Sequence, residues 1–139
     1  QRQMCIRDSC KDCEPGSKRP TPHPGPRCAT HHREFTKLQE ERAFDLRLQR
    51  TYGITADVYW QLYEFQGGTC YICRWAKGKT KRLCVDHDHE TGEVRGLLCN
   101  RCNRMVGFAR DSSEYFQRAA DYLINPPYKR MKEEHDGTD

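Results

Sequence analysis

Two Cys-x-x-Cys pairs constrain the fold of this chain more than any other feature of its sequence. The first pair is Cys70 and Cys73, and the second is Cys99 and Cys102. Two such pairs present four thiolates to one tetrahedral zinc ion and leave no position open for water or a substrate. We therefore expect a structural zinc site that ties together the two ends of the segment between the pairs.

A chain of this composition needs a cross-link because it holds little apolar material. Of its 139 residues, 35% are hydrophobic and 32% are charged, and small polar domains usually depend on metals or disulfides. The sequence begins without a recognisable signal peptide, so it favours reduced thiols and a cytoplasmic setting over disulfides. Its apolar runs fall short of the roughly 20 residues that span a bilayer, so no membrane association is expected.

A second zinc site is expected near the N-terminus. Residues 10–32 are dense in proline and glycine and cannot form a regular helix or strand. The spacing of their cysteines and histidines is typical of a zinc knuckle, whose ligands would be Cys10, Cys13, Cys28 and His31. His32 is the alternative to His31 as the fourth ligand. The alternative is a disordered proline-rich arm with incidental cysteines. Residues 1–9 are interpreted as non-native or disordered.

The remaining sequence predicts a small α+β fold. Residues 33–54 are expected to form a connecting helix and linker, residues 55–127 the core with a C-terminal helix, and residues 128–139 a frayed polar tail. The core elements would be a helix from Thr55 to a stop at Gly67-Gly68, a β-hairpin turning at Thr91-Gly92, a helix over 103–109, and a last helix capped by Asp111 or Ser112. The apolar sides of these helices are expected to pack in the core.

The hairpin carries the residues with the clearest chemistry. Asp86, His87, Asp88 and His89 follow one another on the first predicted strand, so the aspartates would share one face and the histidines the other unless a bulge intervenes. Aspartate is depleted in strands, which indicates a functional reason for this run.

The types of these residues suggest a catalytic metal site. Carboxylate and amide oxygens bind hard divalent cations, and an imidazole can activate water near neutral pH. Asp86 and Asn103 are therefore the candidate ligands of a catalytic ion, and His87 is the candidate base. The alternative is that the Asp-His-Asp-His run is itself a zinc or transition-metal site.

The charge distribution suggests a polyanionic partner. The net charge is +4, and Lys and Arg outnumber Asp and Glu between residues 74 and 110. The candidate phosphate contacts are Arg95, Lys79, Lys81 and Arg82. A single lysine or arginine is more often a solvated surface charge than a phosphate contact. Charge alone therefore does not decide whether the partner is DNA.

The motif CYIC followed by VDHDHETGEVRGLLCNRCN resembles the phage recombination endonuclease VII family, within the His-Me finger or HNH nuclease superfamily. The resemblance covers roughly residues 51–109. It implies a zinc-bound ββα-metal core with flanking helices, in which the four core cysteines bind the structural zinc. It also implies that Asp86 and Asn103 bind the catalytic Mg²⁺ or Mn²⁺, that His87 is the general base, and that His89 is a second active-site histidine that binds or orients phosphate.

The function implied by this resemblance is metal-dependent cleavage of DNA, with branched or structured DNA as a candidate substrate and a 5′ phosphate as a product. The host cytoplasm is the expected location if a phage encodes the chain. The alternative function is a non-catalytic zinc-binding module that binds nucleic acid or acts as an adaptor. The sequence leaves open whether the active form is a homodimer.

Overall fold

A computed structural model describes residues 10–17, 19–78 and 81–136 of the chain. Within these ranges the chain forms five helices and a two-stranded antiparallel sheet, so the predicted α+β class is confirmed. The elements are α1 (Ala29–Tyr52), α2 (Ala56–Phe65), β1 (Cys84–His87), β2 (Val94–Leu98), α3 (Asn100–Phe108), α4 (Ser113–Ile124) and α5 (Pro127–Asp136). The chain divides into two units, the second beginning at Val58. In the described part of the chain, every helix is too short or too polar to cross a membrane.

The long helix α1 dominates the first unit. It begins directly after Cys28 and ends at Gly53, which has a φ of 70° and donates its N–H to the carbonyl of Gln49 at 3.0 Å. Phe44 and Leu48 lie one turn apart and are buried. The helix starts at residue 29 rather than at the predicted residue 33, so the end of the predicted knuckle is already helical.

Each end of helix α2 is stabilised by a specific contact. The carboxylate of Asp45 accepts a hydrogen bond from the N–H of Ala56 at 2.7 Å, a first-turn contact that the sequence did not suggest. Gly67 and Gly68 adopt left-handed φ values of 73° and 69°, and Gly68 donates to the carbonyl of Tyr63 at 2.8 Å. The predicted glycine stop is confirmed.

The second unit has a small core built around the hairpin. Its buried hydrophobic residues are Tyr59, Cys70, Leu83, Val85, Leu97, Leu98, Cys102 and Ala109. The hydroxyl of Tyr59 donates to the carbonyl of Leu83 at 3.0 Å, and burial raises the pKa of Tyr59 to about 12. The prediction that the whole apolar stripe of α2 packs in the core is wrong, because Val58 and Phe65 are exposed.

The hairpin and α3 form one packed β-β-α unit. The antiparallel strands pair Asp86 with Gly96 and His87 with Val94, so Arg95 is the extra residue of a bulge in β2. Helix α3 contacts both strands. The predicted hairpin is confirmed, whereas α3 begins at Asn100, three residues before the predicted start.

The prediction that residues 86–89 all lie on a strand is wrong. Strand β1 ends at His87, and Asp88 and His89 lie in the turn. The reason is local, because one carboxylate oxygen of Asp88 accepts hydrogen bonds from the N–H groups of Glu90 and Thr91, both at 2.8 Å. These hydrogen bonds lower the pKa of Asp88.

The C-terminal segment departs from the prediction in two ways. The side chain of Ser112 caps α4, as predicted, but the apolar face of that helix is not buried, and Leu123 is 79% exposed. Periodic apolar residues show that a helix has an apolar face, but they do not show that the chain supplies a partner for it. The predicted frayed tail is instead helix α5, which begins with Pro127, a residue suited to the first helical position.

Gln66 attaches the end of α2 to the middle of β2. Its side-chain oxygen accepts from the N–H of Leu97 at 2.8 Å, and its side-chain nitrogen donates to the carbonyl of Leu97 at 2.9 Å. The amide lies so close to the strand that a Cβ on Gly96 would come within 3.1 Å of it. Gln66 is 5% exposed, so these hydrogen bonds are shielded from water.

We expect Gln66→Ala to destabilise the second unit by roughly 2–3 kcal/mol, because the N–H of Leu97 loses its partner in a buried position. Urea unfolding at saturating zinc measures this change. The matched control is Gln49→Ala, which removes an exposed hydrogen bond to Asp45 and should change stability by less than about 0.5 kcal/mol. Equal stabilities of the two variants would contradict the bracing role of Gln66.

Candidate functional site

The four core cysteines converge at the base of the β-β-α unit. The sulfur atoms of Cys70, Cys73, Cys99 and Cys102 all lie within 4.8 Å of one another, and those of Cys73 and Cys99 are 3.9 Å apart. A tetrahedral zinc ion with Zn–S bonds of about 2.3 Å has sulfur atoms roughly 3.8 Å apart. The cluster therefore has the geometry of a structural zinc site.

Local backbone structure prepares these thiols for a metal. Burial raises the pKa of Cys70, but hydrogen bonds from the N–H groups of Cys73, Cys99 and Ile72 outweigh it and lower the pKa to about 7. Cys99 caps the N-terminus of α3, and its sulfur accepts from the N–H of Cys102 at 3.5 Å. The thiolate is the metal-binding form, so these backbone donors favour metal binding by Cys70. In the same cluster without an ion, burial and the neighbouring thiols raise the pKa of Cys102.

The predicted N-terminal ligands also converge. The Nδ1 atom of His31 lies 3.2, 3.4 and 3.5 Å from the sulfur atoms of Cys10, Cys13 and Cys28. Among the residues described, this group and the core cysteines are the two Cys/His clusters that could hold a metal ion. The ring of His32 instead stacks on His23 at 4.3 Å, so His31 is the fourth member of the cluster. This convergence favours the knuckle over an arm with incidental cysteines.

At the turn end of the hairpin, Arg95 forms a two-point ion pair with Asp86. Its Nε donates to Asp86 Oδ2 at 2.8 Å, and its Nη2 donates to Asp86 Oδ1 at 3.2 Å. The bulge at Arg95 aims the side chain at this carboxylate, which lies directly across the hairpin. Asp86 is 9% exposed, and its hydrogen bonds raise the pKa of Arg95. The predicted phosphate contact of Arg95 must therefore share the guanidinium with Asp86.

Asp111 extends this network from the loop after α3. It accepts from Arg95 Nη2 at 2.9 Å, and its other oxygen lies 2.6 Å from Nδ1 of His89. His89 and then Arg95 lower the pKa of Asp111. Arg110 and Asp111 have φ values of 51° and 57°, a left-handed conformation that costs roughly 1–3 kcal/mol per residue and is often found at functional sites.

The two hairpin histidines lie beside this network. The ring centroids of His87 and His89 are 5.0 Å apart with planes tilted by 48°. Asp86 and Asp88 both approach Arg95, the latter at 3.9 Å, and His89 reaches the same network through Asp111. The predicted alternation over two faces requires a continuous strand, and β1 ends at His87. In the described ranges, the Asp-His-Asp-His run does not converge into a metal cluster, which disfavours a zinc or transition-metal site there.

Asn103 lies on the second turn of α3, the helix that packs on both strands. It is half-buried, and its side-chain amide makes no hydrogen bond with any residue that the structure describes, Asp86 included. An amide without a protein partner is suited to an added ligand. Its role beside Asp86 stays a prediction.

The other three predicted phosphate contacts, Lys79, Lys81 and Arg82, precede β1 in the sequence. Lys81 and Arg82 are exposed at the start of β1, and Lys79 lies outside the described residues, as do residues 1–9. Cys84, which lies on β1, is half-buried and belongs to neither metal cluster.

Asp111 is the site residue that sequence reasoning missed. Sequence reasoning predicted only a possible helix-capping role for Asp111, and Ser112 fills that role. The one available signal was that it is the first acidic residue after the second cysteine pair.

Comparison with known proteins gives consistent results. The family model described as recombination endonuclease VII matches residues 45–125. The gene 59 protein of Mycobacterium phage L5 is 58% identical over 131 residues, which cover 91% of this chain and 80% of the relative. The gene 59 protein of Mycobacterium phage D29 is 57% identical over 131 residues, covering 91% of this chain and 79% of the relative. No solved structure matches the chain significantly.

Proposed function

The chain belongs to the recombination endonuclease VII family, and on that premise we propose that it is a metal-dependent endonuclease that hydrolyses phosphodiester bonds in DNA. Branched or otherwise structured DNA is the candidate substrate. The observation that carries the proposal is the pair of histidine rings, His87 and His89, whose centroids are 5.0 Å apart. Through Asp111 and Arg95, His89 is connected to the carboxylate of Asp86. A structural zinc cluster and α3 support the hairpin that carries both histidines and Asp86.

The residues at this site fit a catalytic divalent ion. Asp86 and Asn103 offer oxygen donors of the kind that Mg²⁺ and Mn²⁺ prefer, and the amide of Asn103 has no partner among the described side chains. Each carboxylate oxygen has a second lone pair, so Asp86 can serve a metal and keep part of its contact with Arg95. When bound, the ion supplies positive charge that stabilises the pentacovalent phosphorus and the departing 3′ oxygen.

Side chains of the protein transfer the proton and bind the phosphate. His87 accepts a proton from the attacking water as the new bond between oxygen and phosphorus forms. His89 and Arg95 bind the non-bridging phosphate oxygens and orient the phosphodiester for in-line attack. The bond between phosphorus and the 3′ oxygen breaks, solvent protonates that oxygen, and the products are a 3′ hydroxyl and a 5′ phosphate.

The direct test of this function is a cleavage assay on plasmid, linear and four-way DNA with Mg²⁺ or Mn²⁺. We expect nicking or cleavage by the wild-type chain and at least about a 100-fold loss in Asp86→Ala, because that variant lacks the carboxylate ligand. Glu93→Gln is the matched control, since Glu93 is an exposed acidic residue of the same hairpin. Equal rates for wild type and Asp86→Ala would contradict the role of Asp86.

One observation supports a second function, a zinc-binding module that binds nucleic acid without cutting it. Both oxygens of Asp86 are already paired with Arg95, as they would be in a purely structural ion pair. This function predicts DNA binding that weakens steeply with salt, because phosphate contacts release counterions. It also predicts no cleavage with any divalent ion, so the same assay separates the two proposals.

A further inference from the structure

Asp111 joins the loop after α3 to two residues of the proposed site. Its Oδ2 lies 2.6 Å from Nδ1 of His89, and its Oδ1 accepts from Nη2 of Arg95 at 2.9 Å. We propose that Asp111 is a positioning residue that holds His89 and Arg95 in the orientation in which they bind the scissile phosphate. This inference rests on the proposed endonuclease function.

The contact with His89 selects one form of the imidazole. A carboxylate at Nδ1 stabilises the tautomer with its proton on that nitrogen, which leaves Nε2 for a phosphate oxygen or a proton transfer. Within the described ranges, Nε2 of His89 has no hydrogen-bond partner, and the side chain is 62% exposed. Without Asp111, so exposed a ring would rotate among several orientations and exchange between tautomers.

The contact with Arg95 fixes the second group. Asp86 binds Nε and Nη2 on one edge of the guanidinium, and Asp111 binds Nη2 from another direction. A guanidinium has five N–H donors in one plane, so donors remain for phosphate after both aspartates are bound. Two carboxylates therefore determine which way the remaining donors, on Nη1, face. The carboxylate of Asp88 lies 3.9 Å from Nη1, beyond hydrogen-bonding distance.

The backbone of the loop keeps the carboxylate in place. Arg110 and Asp111 adopt left-handed φ values that few side chains favour. The N–H of Arg110 donates to the carbonyl of Gly107 at 3.1 Å, and that of Asp111 donates to the carbonyl of Val106 at 3.3 Å. A strained conformation persists only where its surroundings enforce it, so this loop is built to present the side chain of Asp111.

The arrangement also forms an open cleft on the surface of the second unit. Its lining includes His89, Glu90, Gly107 and Asp111. Glu90 provides a matched control, because its carboxylate contacts neither His89 nor Arg95 in the part of the chain that the structure describes. Glu90→Gln thus removes the same charge from the same cleft without affecting the two contacts.

The test compares wild type with Asp111→Ala, Asp111→Asn and Glu90→Gln. We expect Asp111→Ala to lower kcat on plasmid DNA by about 10–100-fold with a much smaller change in KM. Its melting temperature should fall by a few degrees because alanine disfavours the left-handed φ, but the second unit should stay folded. Asp111→Asn should retain intermediate activity, since asparagine tolerates the left-handed conformation and its oxygen still accepts from Nδ1. Nitrogen-15 NMR should show one His89 tautomer in wild type and Glu90→Gln, and a mixture in Asp111→Ala.

The outcomes separate this inference from the proposed function. An active wild-type chain whose kcat and His89 tautomer are unchanged by Asp111→Ala would overturn the positioning role alone. Equal losses in Asp111→Ala and Glu90→Gln would also overturn it, because the effect would then reflect charge in the cleft. A wild-type chain that cleaves no DNA under any divalent ion would overturn the proposed function and this role with it.

Discussion

His87→Ala is expected to lower kcat for DNA cleavage by about 10²–10⁴-fold while the protein still folds and binds DNA. The imidazole of His87 lies at the end of β1, and its ring is 5.0 Å from that of His89. In the proposed reaction this imidazole accepts the proton of the attacking water, so its removal should slow the chemical step. His87 is half-buried at the edge of the hairpin and lies outside both metal clusters, so its loss should leave the core intact.

Single-turnover cleavage, binding to the same DNA without divalent ions, and thermal melting together measure this effect. Added imidazole should restore part of the activity of His87→Ala, because a free base can enter the space that the side chain leaves. His23→Ala is the matched control, because His23 belongs to the first unit, where its ring stacks on that of His32. If His87→Ala cut DNA at the wild-type rate, the general base would have to be another residue.

Cys102→Ser is expected to unfold the second unit and to lower the zinc content from two ions per chain to one. The buried hydrophobic set of this unit is small, and two of its members, Cys70 and Cys102, belong to the metal cluster. Binding of structural zinc contributes about 10–16 kcal/mol, comparable to or larger than the stability of a typical domain. The hairpin should therefore lose its structure when the fourth thiolate is missing.

Circular dichroism and metal analysis measure these two losses, and a strong chelator should reproduce them in the wild-type chain. Cys84→Ser is the matched control, because Cys84 lies on β1 outside both clusters and should leave two zinc ions bound. Cys28→Ser should remove the other zinc ion and leave the fold of the second unit intact. A cooperative unfolding transition in Cys102→Ser with two bound zinc ions would rule out this account of the core.

The parts of the fold that the sequence predicted well depend on short-range chemistry. Cysteine spacing predicted two metal clusters whose ligands converge. Gly67 and Gly68 marked a helix end because they tolerate left-handed φ values, and the Thr91-Gly92 turn marked the hairpin. Each Cys-x-x-Cys pair and each turn is formed by residues only a few positions apart, and the repeated pair spacing indicated that the distant pairs share one metal.

The errors arose where distant segments decide the outcome. The apolar faces of α2 and α4 were expected to be buried, but Phe65 and Leu123 are exposed. The first strand was predicted to run through His89 because the alternation of residue types does not reveal the turn at Asp88. That turn is formed by hydrogen bonds from backbone N–H groups to the Asp88 carboxylate. The tail was expected to fray, although Pro127 can begin a helix. Periodicity describes one segment, whereas burial depends on what that segment meets.

The amino-acid sequence by itself determined the chemical groups of this protein: eight paired metal ligands, a carboxylate, two imidazoles and an amide in a fixed order. Only the tertiary structure decided that the bulge at Arg95 directs its guanidinium to Asp86, and that Asp111 reaches both Arg95 and His89. The physical reason is one of range. Metal-ligand spacing and turn preferences are local properties of the chain, but side-chain contacts across 16 or 22 positions exist only after the hairpin and α3 have packed together.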